Sequence, residues 1–135
     1  MDFDLNLATK ESNENPIYYI EYANARISSI LNKYHQKTHI IQEYKKLNSE
    51  DTYIILKKLC EFEDVVISAA EKRTPHIIAN YTYDLAALFH SYYAKEKIIT
   101  EDNEETEEKI MLIRAIKIVL NNALDLIGII PREQM

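Results

Sequence analysis

The side chains of this 135-residue chain best placed to do chemistry are aromatic and cationic rather than nucleophilic. In "NPIYYIEYANARISSIL", Asn15 to Leu31, Tyr18, Tyr19 and Tyr22 fall within five residues, and Arg26 follows one turn later. Wound as a helix at about 100° per residue, Ile20, Ala23, Ile27, Ile30, Leu31 and Tyr34 gather into one apolar stripe. Tyr19, Tyr22 and Arg26, spaced i, i+3 and i+7, line one edge of that stripe, and Tyr18 points further toward solvent. A second edge of the same make lies downstream. Ile77, Ile78, Tyr81, Leu85, Leu88, Phe89 and Tyr92 form a buried stripe there, with Tyr93 and Lys97 just off its edge and His90 beyond them. Boundary tyrosines can anchor a helix while their hydroxyls stay wet. They can equally offer a flat face beside a cation to a ligand that stacks. Two such edges in one small chain favour the contact surface.

Other chemistries find little support. His35 and His39 share a helix face at i, i+4, which would suit two metal ligands, but no third ligand is specified. His76 and His90 stand singly and read as satisfied by local hydrogen bonds. Cys60 lies in an apolar helix and is expected to be a small core residue. A lone cysteine excludes an internal disulfide and is compatible with a reducing compartment. The single glycine, Gly128, lies near the C-terminus, so there is no glycine-rich phosphate loop. Carboxylates are too plentiful for a catalytic pair to be singled out. Neither catalytic residues nor a metal site are expected.

The elements that must position these edges are helices. Hydrophobic residues make up 47% of the chain, against one Gly and three Pro, which suits long helices and short connections. Asn15-Pro16 is a helix start, with Asn as cap and Pro in the first turn. That helix is expected to reach about Lys37 and to continue through Ile40, Ile41, Tyr44 and Leu47. Asn48 to Asp51 breaks the chain and caps a second helix containing Tyr53, Leu56, Leu59 and Cys60. A short third helix follows in "FEDVVISAAEKR", with Val65, Val66 and Ala69 inward. A fourth runs from His76 to about Lys97, and a fifth from about Thr106 to Ile127, stopped by Gly128. The fold class is therefore all-α, a helical bundle of about five helices. Residues 1–14 read as a connection and residues 15–135 as the domain.

Charge and hydropathy narrow the setting. No apolar run approaches membrane-spanning length, and the acidic "MDFD" start is unlike a signal peptide, so a cytoplasmic chain is expected. The net charge of −6 equals the contribution of "EDNEETEE", Glu101 to Glu108, whose six carboxylates have no base among them. Such a run reads as a solvated loop entering a helix N-terminus. It would repel phosphate locally, so a nucleic-acid surface should lie elsewhere.

Three segments together resemble one family. "DFDLNLATKESNENPIYYIEYANARISSIL" is similar to the passage from the catalytic domain into the C-terminal anticodon-binding domain of bacterial arginyl-tRNA synthetases, class I enzymes. "DLAALFHSYYAKEKI" and "LIRAIKIVLNNALDLIGIIPREQM" resemble the penultimate and last helices of that family, including an ending on methionine. The resemblance covers essentially the whole chain in the family's order. It implies a DALR-type helical domain whose partners are tRNA-Arg and the enzyme's catalytic domain. It also implies that Met1 starts a truncated fragment, with the ATP- and arginine-binding parts upstream. No cofactor is then expected in this fragment, and ATP with magnesium belongs to the catalytic domain. The fragment is expected to be monomeric and non-catalytic. Carried over by position, the family's RNA contacts fall on Tyr19, Tyr22, Arg26, Tyr93, Lys97 and the terminal Met135. The chain departs from the family at Glu21 and Asn24, where relatives often read "QYAHAR", and at Gln134, where Arg is usual. A free-standing helical adaptor that binds a protein along the same aromatic edges is the alternative reading.

Overall fold

Helices begin where a side chain satisfies backbone N–H groups that the helix itself leaves free. The computed structural model describes residues 15–37 and 39–135, and it shows this three times. Asn15 Oδ1 accepts from the N–H groups of Ile17 (3.0 Å) and Tyr18 (3.3 Å) and opens α1, Pro16–Lys33. Ser49 Oγ accepts from Thr52 N–H at 3.2 Å and opens α2, Glu50–Cys60. Asp102 Oδ1 accepts from Glu104 (3.0 Å) and Glu105 (3.2 Å) and opens α5, Asn103–Leu126. Between them lie α3, Phe62–Lys72, and α4, His76–Lys95. Gly128, at φ +79°, turns the chain out of α5, and Ile129 N–H reaches back to Leu124 C=O at 2.9 Å. The expected connection at residues 1–14 lies outside the described residues. Asn15→Ala removes the cap that orients α1 and should lower stability by about 1 kcal/mol, read from the shift of a chemical denaturation midpoint.

The helices α1, α4 and α5 pack against one another, and α2 and α3 lie against α4. Their shared core is built from Ile20, Ile27, Leu85, Phe89, Ile113 and Leu120, all essentially inaccessible to solvent. The predicted stripes of the first and fourth helices are the faces that meet there, with Leu31, Tyr34 and Leu88 partly buried at the margin. Among the described residues, five helices make up the regular structure, and none is long and apolar enough to cross a membrane.

Three expectations are corrected. The first helix stops at Lys33, and residues 34–37 and 39–49 are irregular instead of continuing the helix through Ile40, Ile41, Tyr44 and Leu47. Two backbone donors of that segment are taken by carboxylates of α5. Glu108 accepts from Lys46 N–H at 3.0 and 3.1 Å, and Glu107 accepts from His39 N–H at 2.9 Å. Leu47 still packs on the core, while Ile40 is 95% exposed. The acidic run is therefore only partly a solvated loop, since α5 begins at Asn103 and Glu108 is 1% exposed. Finally, Cys60 is exposed at the end of α2, whose inward positions are Thr52 and Ile55.

One further carboxylate of the run secures the end of α4. The buried Lys109 ammonium lies 3.1 Å from both Glu105 and Glu96 and donates to Lys97 C=O at 2.9 Å. Burial pulls the Lys109 pKa down, but the two carboxylate hydrogen bonds outweigh it and hold the group above the usual lysine value. Its stabilising contribution is complete below the ordinary lysine pKa and is lost as pH rises through the raised one. The same contacts fix the segment that follows Tyr93.

Candidate nucleic-acid interface

The two aromatic edges face each other across the α1–α4 seam, with Arg26 at their centre. Its guanidinium carbon lies 4.6 Å from the Tyr22 ring centroid and 4.5 Å from that of Tyr93. A cation so placed is attracted by the negative faces of both rings. Arg26 Nη2 donates to Tyr22 Oη at 3.0 Å, and Nη1 lies 3.1 Å from His90 Nδ1. Tyr18 stacks beside Tyr22, with centroids 6.3 Å apart and planes 13° from parallel. Tyr19 sits one layer behind, 4.6 Å from His90 and 5.0 Å from Tyr83. Burial raises the Tyr19 pKa, Tyr83 adds to the rise, and Arg26 opposes it.

The C-terminal tail closes the other side. Asn24 Nδ2 donates to Arg132 C=O at 2.7 Å, and Arg132 Nε lies 3.2 Å from the Glu21 carboxylate. Lys117 donates to Glu133 at 2.9 Å. Burial raises the Glu21 pKa against the pull of Arg132, whereas hydrogen bonds from Lys117 and Ser28 lower that of Glu133. Glu21 and Asn24, two of the positions that depart from the family pattern, thus hold the tail. They bring Met135, 47% exposed, to the rim of a 680 Å³ groove that Tyr22, Arg26, Lys33, Tyr93 and Glu133 also line. Gln134 lines this groove as well.

The structure therefore gathers Tyr22, Arg26, Tyr93 and Met135 at one groove and sets Tyr19 behind them. Lys97 does not join it. Lys97 lines an adjoining hollow of 350 Å³ with Lys33, Glu96 and Tyr93, so Tyr93, 39% exposed, is the ridge between the two. His90 belongs to the cluster, and its partners lie 64 and 71 residues away rather than locally. Its spacing carried a signal. Tyr83 and His90 stand at i and i+7, on one face of α4.

Among the described residues, no three His, Cys, Asp or Glu side chains converge as metal ligands would, and His39 lies 3.3 Å from Glu107. What the groove offers is aromatic surface, a held guanidinium, the Lys33 ammonium and one thioether. Such a surface suits unpaired bases, which present flat faces and hydrogen-bonding edges.

This bundle is the kind of all-α domain carried by arginyl-tRNA synthetases. The whole chain superposes on the Thermus thermophilus arginyl-tRNA synthetase with a TM-score of 0.79 at 30% identity, covering 24% of that chain. In sequence it is 44% identical to the arginine–tRNA ligase of Staphylococcus epidermidis over 99% of its length and 46% identical to that of Bacillus subtilis over 100%. The chain spans about a quarter of the length of these curated relatives, 25% of each. Residues 20–135 match the family model for the DALR anticodon binding domain, and the chain belongs to that family.

Proposed function

We propose that this chain is the anticodon-binding domain of an arginine–tRNA ligase and recognises the anticodon loop of tRNA-Arg. The observation that carries this reading is the Tyr22–Arg26–Tyr93 cluster on a groove bounded by Met135, in a chain similar to such ligases along its whole length. Splayed loop bases stack on the exposed side of Tyr93 and meet the Tyr22–Arg26 pair at its groove edge, and Met135 supplies apolar contact at the rim. Arg26 offers its remaining N–H groups to base edges or phosphate. Tyr19 supports Tyr22 and His90 from behind, and Lys97 meets phosphate in the neighbouring hollow. Stacking of one base on an aromatic ring is worth roughly 1–3 kcal/mol whatever the base, so the rings supply affinity and hydrogen bonds to base edges supply the discrimination. The parent enzyme would join arginine to tRNA on a separate catalytic domain that binds ATP with magnesium. It would work in the cytoplasm, and the isolated chain would be a monomer.

Titration of the chain with a tRNA-Arg anticodon stem-loop and a scrambled loop, at several salt concentrations, tests this. The cognate loop should bind more tightly. The slope should correspond to about two or three ionic contacts, at roughly 0.7 log units per log salt for each. Equal binding of the two loops, or a much steeper slope, would refute the reading. The acidic run is no free variable in this test. Asp102 caps α5 and Glu105 pairs with Lys109, so neutralising them would perturb the fold together with the charge.

A further inference from the structure

His90 is held by two partners of opposite character. Its Nε2 lies 3.3 Å from the Tyr19 carbonyl oxygen, and its Nδ1 lies 3.1 Å from Arg26 Nη1. A carbonyl oxygen has no hydrogen to give, and a guanidinium has no lone pair to accept with. Nε2 must therefore donate and Nδ1 must accept. The neutral Nε2–H tautomer meets both demands. The Nδ1–H tautomer and the imidazolium would each aim an N–H at an arginine N–H.

We propose that His90 is a positioning residue for the RNA-facing cluster: as the neutral Nε2–H tautomer it fixes the Arg26 guanidinium between Tyr22 and Tyr93, and protonation at Nδ1 releases it. A freely rotating arginine at this rim would sample many orientations. The acceptor at His90 and the Tyr22 hydroxyl, which receives Nη2, together determine the guanidinium plane, and the two rings cover it. The outward N–H groups are then presented as a fixed fork at the groove.

Of the groups facing the guanidinium, His90 is the one that changes charge. Glu21, on the tail side of α1 and raised by burial, takes up protons at the acid end of the same range, so the comparison with the His90 variants decides the test. Tyr19, Tyr22 and Arg26 approach His90 from α1, and Tyr83 and Tyr93 share its own helix. Lys33 and Glu133 line the groove with Arg26. Tyrosine, lysine and arginine keep their charge states between pH 5 and 8, and Glu133, lowered by Lys117, stays ionised. Burial keeps the His90 pKa below the ordinary histidine value, and Arg26 adds to this against the pull of the Tyr19 carbonyl. The imidazole is thus neutral at pH 7.5. Its contribution to folding is present above the ordinary histidine pKa and fades as pH falls through the lowered one.

Two measurements on the 135-residue chain test this. Long-range proton–nitrogen spectra at pH 7.5 should report the Nε2–H tautomer, with protected Arg26 Nη–H signals that vanish as His90 titrates. Anticodon stem-loop affinity should fall about tenfold between pH 7.5 and 5 in the wild type. His90→Asn keeps an acceptor near the Nδ1 position for Arg26 without titrating, so its profile should be flatter. His90→Leu should bind weakly at both values. The stem-loop measurement rests on the anticodon reading; the spectra do not. An Nδ1–H tautomer, an imidazolium at pH 7.5, or Arg26 signals that survive the titration would overturn the proposal. So would matching pH profiles for wild type and His90→Asn. If no stem-loop binds at any pH, the anticodon reading fails while the spectra still decide the role of His90.

Discussion

Arg26→Ala should weaken binding of the cognate anticodon stem-loop by about 2 kcal/mol, roughly thirtyfold, with little change in the melting of the bundle. The size follows from what the guanidinium does. It lies against two rings, 4.6 and 4.5 Å from their centroids, and ties Tyr22 to His90 through two hydrogen bonds. Alanine deletes the cation and frees both rings at once, so an ordered platform becomes two independent side chains. The stability cost is small because Arg26 lies at the rim of the bundle and the core stripe of α1 runs along Ile20, Ala23 and Ile27. Arg26→Lys is the informative companion. A lysine keeps the charge but cannot reach Tyr22 and His90 together as a planar fork. It should recover only a minor share of the affinity, and full recovery would mean that charge alone mattered. Fluorescence titration at fixed salt, paired with thermal melts, separates these outcomes.

The largest loss of stability should come from Phe89→Ala, about 3–5 kcal/mol. Phe89 is fully buried in the α1–α4–α5 core, and truncation removes both its transfer energy and the contacts of the ring's lining. Domains of this size are commonly stable by only about 5–15 kcal/mol, so the variant should be near the limit of folding. The ring also backs the functional cluster, with its centroid 5.7 Å from His90 and 6.0 Å from Tyr93. Phe89→Leu should lose much less, since it refills most of the space. Urea denaturation of the three proteins measures the differences. A loss below about 1 kcal/mol for the alanine variant would show that the core collapses around the gap.

Much of this molecule is determined by short-range features of its sequence. Asn15-Pro16, Ser49 and Asp102 cap helices with atoms two or three residues from the donors they satisfy, so the boundaries are written locally. The apolar stripes of α1 and α4 follow from helical periodicity, and the same periodicity sets Tyr19, Tyr22, Arg26 and Tyr93 along the edges. Tertiary structure decided the rest, because periodicity states which face is buried but not which residue of another helix lies opposite. Residues 34–37 and 39–49 show this most plainly. Their apolar spacing suits a helix, yet Glu107 and Glu108, more than 60 positions away, take the N–H groups of His39 and Lys46. Cys60 sits in an apolar sequence, yet α2 turns Thr52 and Ile55 to the core and leaves the thiol outside. His90 reads as a solitary imidazole until α1 is laid beside α4 and supplies a carbonyl and a guanidinium of opposite hydrogen-bonding sense. Met135 reaches the groove only because Glu21, Asn24 and Lys117 hold the tail there, through contacts whose separation along the chain no local pattern encodes.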